Sequence, residues 1–211
     1  MATEASDNPD QFRIAVLASG EGSNLQVLID QIHGRVATVA CVGSDKPGCK
    51  ALERAAAKNI ETGVFAAVDF DDNRKARDAE LAGWLQERNV NLIVLAGYMQ
   101  LLSPEFVAAF RSKIINVHPA LLPSFPGLRA IEQAIEHHVR VTGVTVHIVD
   151  EGVDSGPIIM QEALALGVNP DLTDVTNQLQ AIEHRLLPQA VEGFATGELR
   201  VDHLTGLVVG R

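Results

Sequence analysis

Short, uninterrupted apolar runs separated by segments of helical composition most restrict how this chain can fold. The first is Arg13-Ile14-Ala15-Val16-Leu17-Ala18, and similar runs recur at residues 36–42, 92–95 and 114–117. A strand with one wet face alternates polar and apolar residues, whereas an unbroken apolar run is covered on both faces. The spacing therefore predicts parallel βαβ units with helices at residues 24–33, 49–59, 74–88 and 104–111, each bounded by Gly, Asp, Asn or Pro. After Arg140 the pattern changes, and Val-Thr-Gly-Val-Thr-Val-His-Ile-Val reads as an extended strand rich in β-branched residues. Residues 158–160 begin another strand, residues 171–192 read as a long helix perturbed by Pro188, and residues 201–209 add an edge strand. The expected fold class is α/β: a doubly wound, mostly parallel sheet of Rossmann type with a mixed C-terminal part. Residues 1–11 are polar and contain Pro9, so they are expected to form a flexible N-terminal tail before a single domain spanning residues 12–211.

Composition narrows the function. With 46% hydrophobic and 21% charged residues among 211, the chain is no disordered or low-complexity polymer. Its 17 Lys and Arg against 27 Asp and Glu give a net charge of -10, which argues against a nonspecific nucleic-acid or anionic-membrane surface. Local cations such as Arg74, Lys113 and Arg129 still allow a pocket for a small anion. No apolar stretch approaches the roughly 20 residues of a membrane span, and the N-terminal residues lack the basic start and apolar run of a signal peptide. Cys41 and Cys49 offer neither a disulfide framework nor repeated metal-ligand spacing. A cytoplasmic protein without a metal is the expectation.

Ser19-Gly20-Glu21-Gly22-Ser23-Asn24 lies between a predicted strand and a predicted helix, where free backbone N–H groups and the helix terminus suit a phosphate. It is not a dinucleotide fingerprint, because Leu25 stands where a third glycine is needed, and no lysine completes a Walker A loop. A tight turn relieved by Gly20 and Gly22, with Asn24 capping the helix, remains the other reading.

Asn116-Val117-His118-Pro119 closes the strand-like run at residues 114–117, and a two-residue spacing directs both polar side chains to the same face. Asn can donate a hydrogen bond to a developing oxyanion, and His can supply a proton or a cationic donor near neutral pH. Asp150-Glu151-Gly152-Val153-Asp154-Ser155-Gly156-Pro157 is an acidic, turn-rich loop after another predicted strand. Asp154 placed beside His118 favours the charged imidazole and can assist proton removal. Taken singly, each of these residues also suits a structural turn, and His147 reads as packed rather than catalytic.

Together, Ser19-Gly20-Glu21-Gly22-Ser23-Asn24-Leu25, Asn116-Val117-His118-Pro119-Ala120-Leu121-Leu122-Pro123, and Val144-Thr145-Val146-His147 followed by Asp154-Ser155-Gly156-Pro157 resemble the phosphoribosylglycinamide formyltransferase family of folate-dependent enzymes. The resemblance runs in order from Arg13 to Gly193, through Leu95-Ala96-Gly97-Tyr98-Met99 and Glu183-His184. It implies a formyltransferase-like fold and transfer of a formyl group from 10-formyltetrahydrofolate, a cosubstrate, to the amino group of glycinamide ribonucleotide in purine biosynthesis. It also implies Asn116, His118 and Asp154 as the catalytic trio, Gly22, Ser23 and Asn24 as the acceptor-phosphate loop, and Glu183 as a substrate-binding carboxylate. Arg74, Met99, Gln100, Leu101, Leu102, Asp150, Glu151, Gly152 and Val153 match folate-pocket positions, although Gln100 departs from a basic residue found in some members.

Methionyl-tRNA formyltransferases and formyltetrahydrofolate hydrolases share the Asn-x-His-Pro motif and the downstream Asp, so formyl-folate use is more firmly implied than the acceptor. Those relatives are expected to carry an additional domain, and the Gly-Ser-Asn loop favours a ribonucleotide. A non-catalytic nucleotide-binding module is the reading from a different class.

Overall fold

The computed structural model describes residues 11–202 and 205–210, in two compact units that divide the chain after Gln100. All of the expected N-terminal tail except Gln11 lies outside the described residues.

The first unit runs β1 (Arg13–Leu17), α1 (Ser23–Gln31), β2 (Thr38–Ser44), α2 (Lys50–Ala56), β3 (Glu61–Val64), a 3-10 turn (Ala67–Phe70), α3 (Arg74–Glu87) and β4 (Leu92–Leu95). Its strands lie in the order β3-β2-β1-β4, all parallel. Ile14, Val16, Leu17, Ile93 and Val94 are fully buried, as expected of apolar runs covered on both faces. The chain steps from β1 to β2 on one side and reaches β4 on the other side of β1. The loops after β1 and β4 therefore flank a topological switch point, the usual ligand crevice of such sheets. β3 was not anticipated, because Glu61-Thr62-Gly63-Val64 contains no apolar run and no buried residue. Helices α1 and α2 end two or three residues before the limits read from composition, where the chain turns through residues 32–37 and 57–60.

The second unit runs α4 (Pro104–Ala109), β5 (Ile114–His118), α5 (Ala130–Glu136), β6 (Val141–Ile148), β7 (Ile158–Ala165), α6 (Leu172–Thr196), β8 (Leu199–Val201) and β9 (Val208–Gly210). Ser103 caps α4 by accepting the Phe106 N–H at 3.3 Å, with Pro104 in the first turn. β5, β6 and β7 pair antiparallel, which is the mixed C-terminal part read from the sequence. α6 accommodates buried Pro188 and continues past residue 192 to Gly197, whose left-handed conformation ends it. The edge strand expected at residues 201–209 is corrected: β8 and β9 pair with each other as a separate two-stranded sheet. Asp202 and Thr205 make that reversal, with the Thr205 N–H and hydroxyl both donating to Asp202 Oδ1. Helix α5 lies outside the helices read from the sequence, because it starts at a left-handed Arg129 with no capping side chain to mark it. Among the described residues, no helix is long and apolar enough to cross a membrane.

Candidate active site

Antiparallel pairing of β5 with β6 builds the polar cluster of the second unit. Asn116 stands opposite His147, and His118 opposite Thr145. All four side chains share one face of the sheet, because directly opposed residues and residues two apart on a strand point the same way. Buried Thr145 donates to the Ala120 carbonyl at 2.7 Å and accepts the Leu122 N–H at 3.1 Å, which fixes the start of the loop leaving His118. That loop returns to the imidazole. His118 is only 5% exposed, and its Nε2–H donates to the Phe125 carbonyl at 2.8 Å. A carbonyl only accepts, so this bond assigns a proton to Nε2 and turns Nδ1 toward Asp154 Oδ2, 3.4 Å away.

Asp154 reaches this cluster through a tightly wound loop between β6 and β7. Asp150 Oδ1 accepts the Gly152 N–H at 3.0 Å and the Ser155 hydroxyl at 2.8 Å, closing an Asx-type turn. Gly156 then passes so close to β6 that a Cβ there would lie 2.0 Å from the Ile148 carbonyl oxygen. Only glycine permits that approach. Asp154 itself takes a left-handed backbone conformation, φ 50°, which Asp tolerates better than most residues. Its Oδ2 accepts the Gly127 N–H at 2.7 Å, and its Oδ1 accepts from Asn116 Nδ2 at 3.3 Å. Burial pushes the carboxyl upward, but the His147 imidazole, the Gly127 N–H and the His118 imidazole outweigh it and hold the pKa at about 2. Asp154 is a carboxylate at neutral pH.

Asn116, His118 and Asp154 are thus brought together, Asn116 by a hydrogen bond to the carboxylate and His118 by the 3.4 Å approach of its Nδ1. An amide N–H, an imidazole able to take a second proton, and an ionised carboxylate can stabilise an oxyanion and move a proton. The same loop borders a cavity of about 520 Å³, lined in part by Val107, Arg111, Val149, Asp150, Glu151 and Gly152. Val153 is outside that lining and exposed. Leu101 is exposed, Leu102 half-buried, and Glu183 half-buried on α6.

The first unit holds the other expected residues. Gly22, in a left-handed conformation at φ 69°, is the residue preceding α1, so it rather than Asn24 occupies the cap position. Ser23 and Asn24 form the first turn, with Asn24 buried. Arg74 begins α3 and is exposed, and Met99 is 60% exposed after β4. Gln100 turns its side chain inward, donating to Asp45 Oδ2 at 2.9 Å and accepting from Arg77 Nη1 at 2.8 Å. Among the described residues, no group of three or more His, Cys, Asp or Glu side chains is arranged to hold a metal ion.

Three partners in the cluster escape a reading based on residue type. The Phe125 carbonyl and the Gly127 N–H are backbone groups and leave no side-chain signal. His147 does have one, since alternation along β6 places it on the face of Thr145, but its relation to Asn116 exists only once the two strands are in register.

The formyl transferase family pattern matches residues 12–191. A phosphoribosylglycinamide formyltransferase of Haemophilus influenzae is 40% identical over 191 residues, covering 90% of each chain. A trifunctional purine biosynthetic protein, adenosine-3, of Drosophila pseudoobscura pseudoobscura is 44% identical over 192 residues; the match covers 89% of this chain but only 14% of that much longer protein. Among solved structures, glycinamide ribonucleotide transformylase 1 of Symbiobacterium toebii superposes with a TM-score of 0.89 at 42% identity, covering 95% of this chain and 94% of the other. By pattern, sequence and architecture alike, this chain belongs to the formyl transferase family.

Proposed function

We propose that this protein transfers the formyl group of 10-formyltetrahydrofolate to the amino group of glycinamide ribonucleotide, releasing tetrahydrofolate, as a step of purine biosynthesis in the cytoplasm. The observation that carries the reading is the Asn116–His118–Asp154 cluster, whose carboxylate stays ionised at a pKa of about 2. Attack of the amine nitrogen on the formyl carbon makes a tetrahedral oxyanion. Asn116 Nδ2 and protonated His118 stabilise that charge, and Asp154 takes the proton released by the attacking amine, directly or through water. Collapse breaks the bond from the formyl carbon to the folate nitrogen, which receives a proton through His118. No covalent enzyme intermediate and no metal ion are needed.

In this reading Arg74, Met99, Gln100, Leu101 and Leu102, together with Asp150, Glu151, Gly152 and Val153, hold the donor. The backbone N–H groups of Gly22, Ser23 and Asn24 cradle the acceptor phosphate at the start of α1, and Glu183 binds the acceptor. Residues 12–211 work as one formyltransferase domain. Purified protein mixed with 10-formyltetrahydrofolate should release tetrahydrofolate when glycinamide ribonucleotide is added and very little in water alone. Substituting Asn116→Ala should lower kcat about 10²–10³-fold with folate binding kept. Equal release with and without the acceptor overturns the reading in favour of a hydrolase, and no release refutes formyl transfer.

A further inference from the structure

A continuous run of polar side chains lies behind Met99 and Gln100, and none of it takes part in the chemistry above. On α3, Arg77 and Asp78 are 2% and 1% exposed, and Arg77 donates to Asp78 Oδ1 through Nε at 2.9 Å and Nη2 at 2.8 Å. Its Nη1 donates to Gln100 Oε1 at 2.8 Å, and Gln100 Nε2 donates to Asp45 Oδ2 at 2.9 Å. Asp45, just after β2, accepts the Ser19 hydroxyl on its other oxygen, and Ser19 Oγ accepts the Met99 N–H at 2.8 Å. Met99 and Gln100 are therefore anchored to one carboxylate, one by its backbone through Ser19 and the other by its side chain.

Every bond in this run has a single possible direction. A guanidinium only donates and a carboxylate only accepts, so the Gln100 amide fits between Arg77 and Asp45 in one orientation alone. Reversing the polarity at either end sets donor against donor or acceptor against acceptor, in a site where unsatisfied groups are costly.

We propose that Gln100 and Asp45 are positioning residues for the formyl donor, because the one-way chain Arg77–Gln100–Asp45–Ser19 sets the backbone of Met99 and Gln100. This rests on the reading that the segment from Met99 holds the folate. It also gives Gln100 its part in this chain of bonds: it acts through buried partners rather than by meeting the ligand with its side chain.

A transposition of charge tests the direction of the bonds. Asp45→Asn keeps an oxygen for Ser19 but presents an NH₂ to the Gln100 NH₂. Gln100→Glu strengthens the contact with Arg77 but sets a carboxylate against Asp45. With both changes, the new amide donates to the new carboxylate, and every bond is satisfied again with the charge count unchanged. Each single variant should raise the KM for 10-formyltetrahydrofolate about tenfold, with the KM for glycinamide ribonucleotide within about threefold, and the double variant should return the donor KM to within about threefold of the starting protein. Ser19→Ala, which deletes only the hydroxyl holding the Met99 N–H, should raise donor KM about fivefold and covers the case in which a charge variant does not fold. Single variants with unchanged donor KM, or a double variant whose losses multiply, overturn the proposal. Met99→Asp, at an exposed side chain outside the chain of bonds, separates the two levels. If it raises donor KM while the charge variants and Ser19→Ala do not, positioning fails and the donor site stands; if none of these variants changes donor KM, the assignment of the segment fails and the proposal with it.

Discussion

His147 stands directly opposite Asn116 on the antiparallel neighbour of β5, with its Nε2 3.2 Å from the Asn116 amide nitrogen. Its Nδ1 donates to the Ile148 carbonyl at 2.9 Å, which in the neutral imidazole leaves Nε2 as an acceptor for one Asn116 N–H. The other N–H points at Asp154 Oδ1, 3.3 Å away. A ring unprotonated at Nε2 therefore holds the amide on one side, and under the proposed mechanism its longer bond to Asp154 is the one that a formyl oxygen would displace. Protonated, His147 Nε2 becomes a donor aimed at Asp154 Oδ1, 3.5 Å away, and releases Asn116.

His147→Leu should accordingly lower kcat about tenfold while both KM values stay within about threefold, because it frees the amide without touching either ligand. His147→Gln, which keeps an acceptor, should lose less. Steady-state kinetics with a thermal melt of each variant checks this. An unchanged kcat in folded His147→Leu refutes the positioning role.

The acid limb of stability should carry the signature of Asp154. Its folded pKa of about 2 lies below the ordinary 3.8, so its contribution is fully present above about pH 4 and disappears as pH falls through about 2. The difference corresponds to on the order of 2 kcal/mol for this largely buried carboxylate. Urea unfolding across that window should show Asp154→Asn losing less stability than the parent by about that amount. Parallel acid limbs in the two proteins would contradict it.

How far the site was legible depends on whether its partners are local in sequence. β1, β4 and β5 are visible because their apolar runs need cover on both faces. Asn116 and His118 are visible because a strand repeats every two residues. β3 and α5 are not, since one is polar and exposed and the other starts at a left-handed Arg129 without a capping side chain. The part of His147 depends on a register between positions 31 apart, and the inward turn of Gln100 depends on Asp45, 55 residues away. Neither relation leaves a local pattern.

His118 and Asp154 should behave as one unit. With Nε2–H committed to Phe125, the second imidazole proton sits on Nδ1 facing Asp154 Oδ2 at 3.4 Å, so removing either group leaves the other without its partner. Rates for His118→Asn, Asp154→Asn and the double variant should be strongly non-additive, with the double variant little slower than the worse single. Multiplying losses would show that the two residues act independently.

The glycine loop allows acceptor binding to be separated from folding, provided the right glycine is changed. Gly22 is left-handed, and a Cβ there would lie 2.8 Å from both Cα and Cβ of Ala51, in α2. Even Gly22→Ala therefore strains the turn and pushes α2 away, and a loss of activity in that variant reports packing as much as anion binding. Gly20, two residues earlier, is exposed, has no atom within 4 Å of a Cβ position, and its carbonyl accepts the Ala51 N–H at 3.0 Å whatever side chain it carries. Gly20→Val should leave the melting temperature within a few degrees while a branched side chain crowds the approach to the N–H groups at the start of α1. The expected result is a rise of about tenfold or more in the KM for glycinamide ribonucleotide, with donor binding unchanged by direct titration. Gly22→Ala should instead lower the melting temperature and weaken binding of both ligands. If folded Gly20→Val binds the ribonucleotide normally and loses folate affinity, the assignment of the two subsites is wrong.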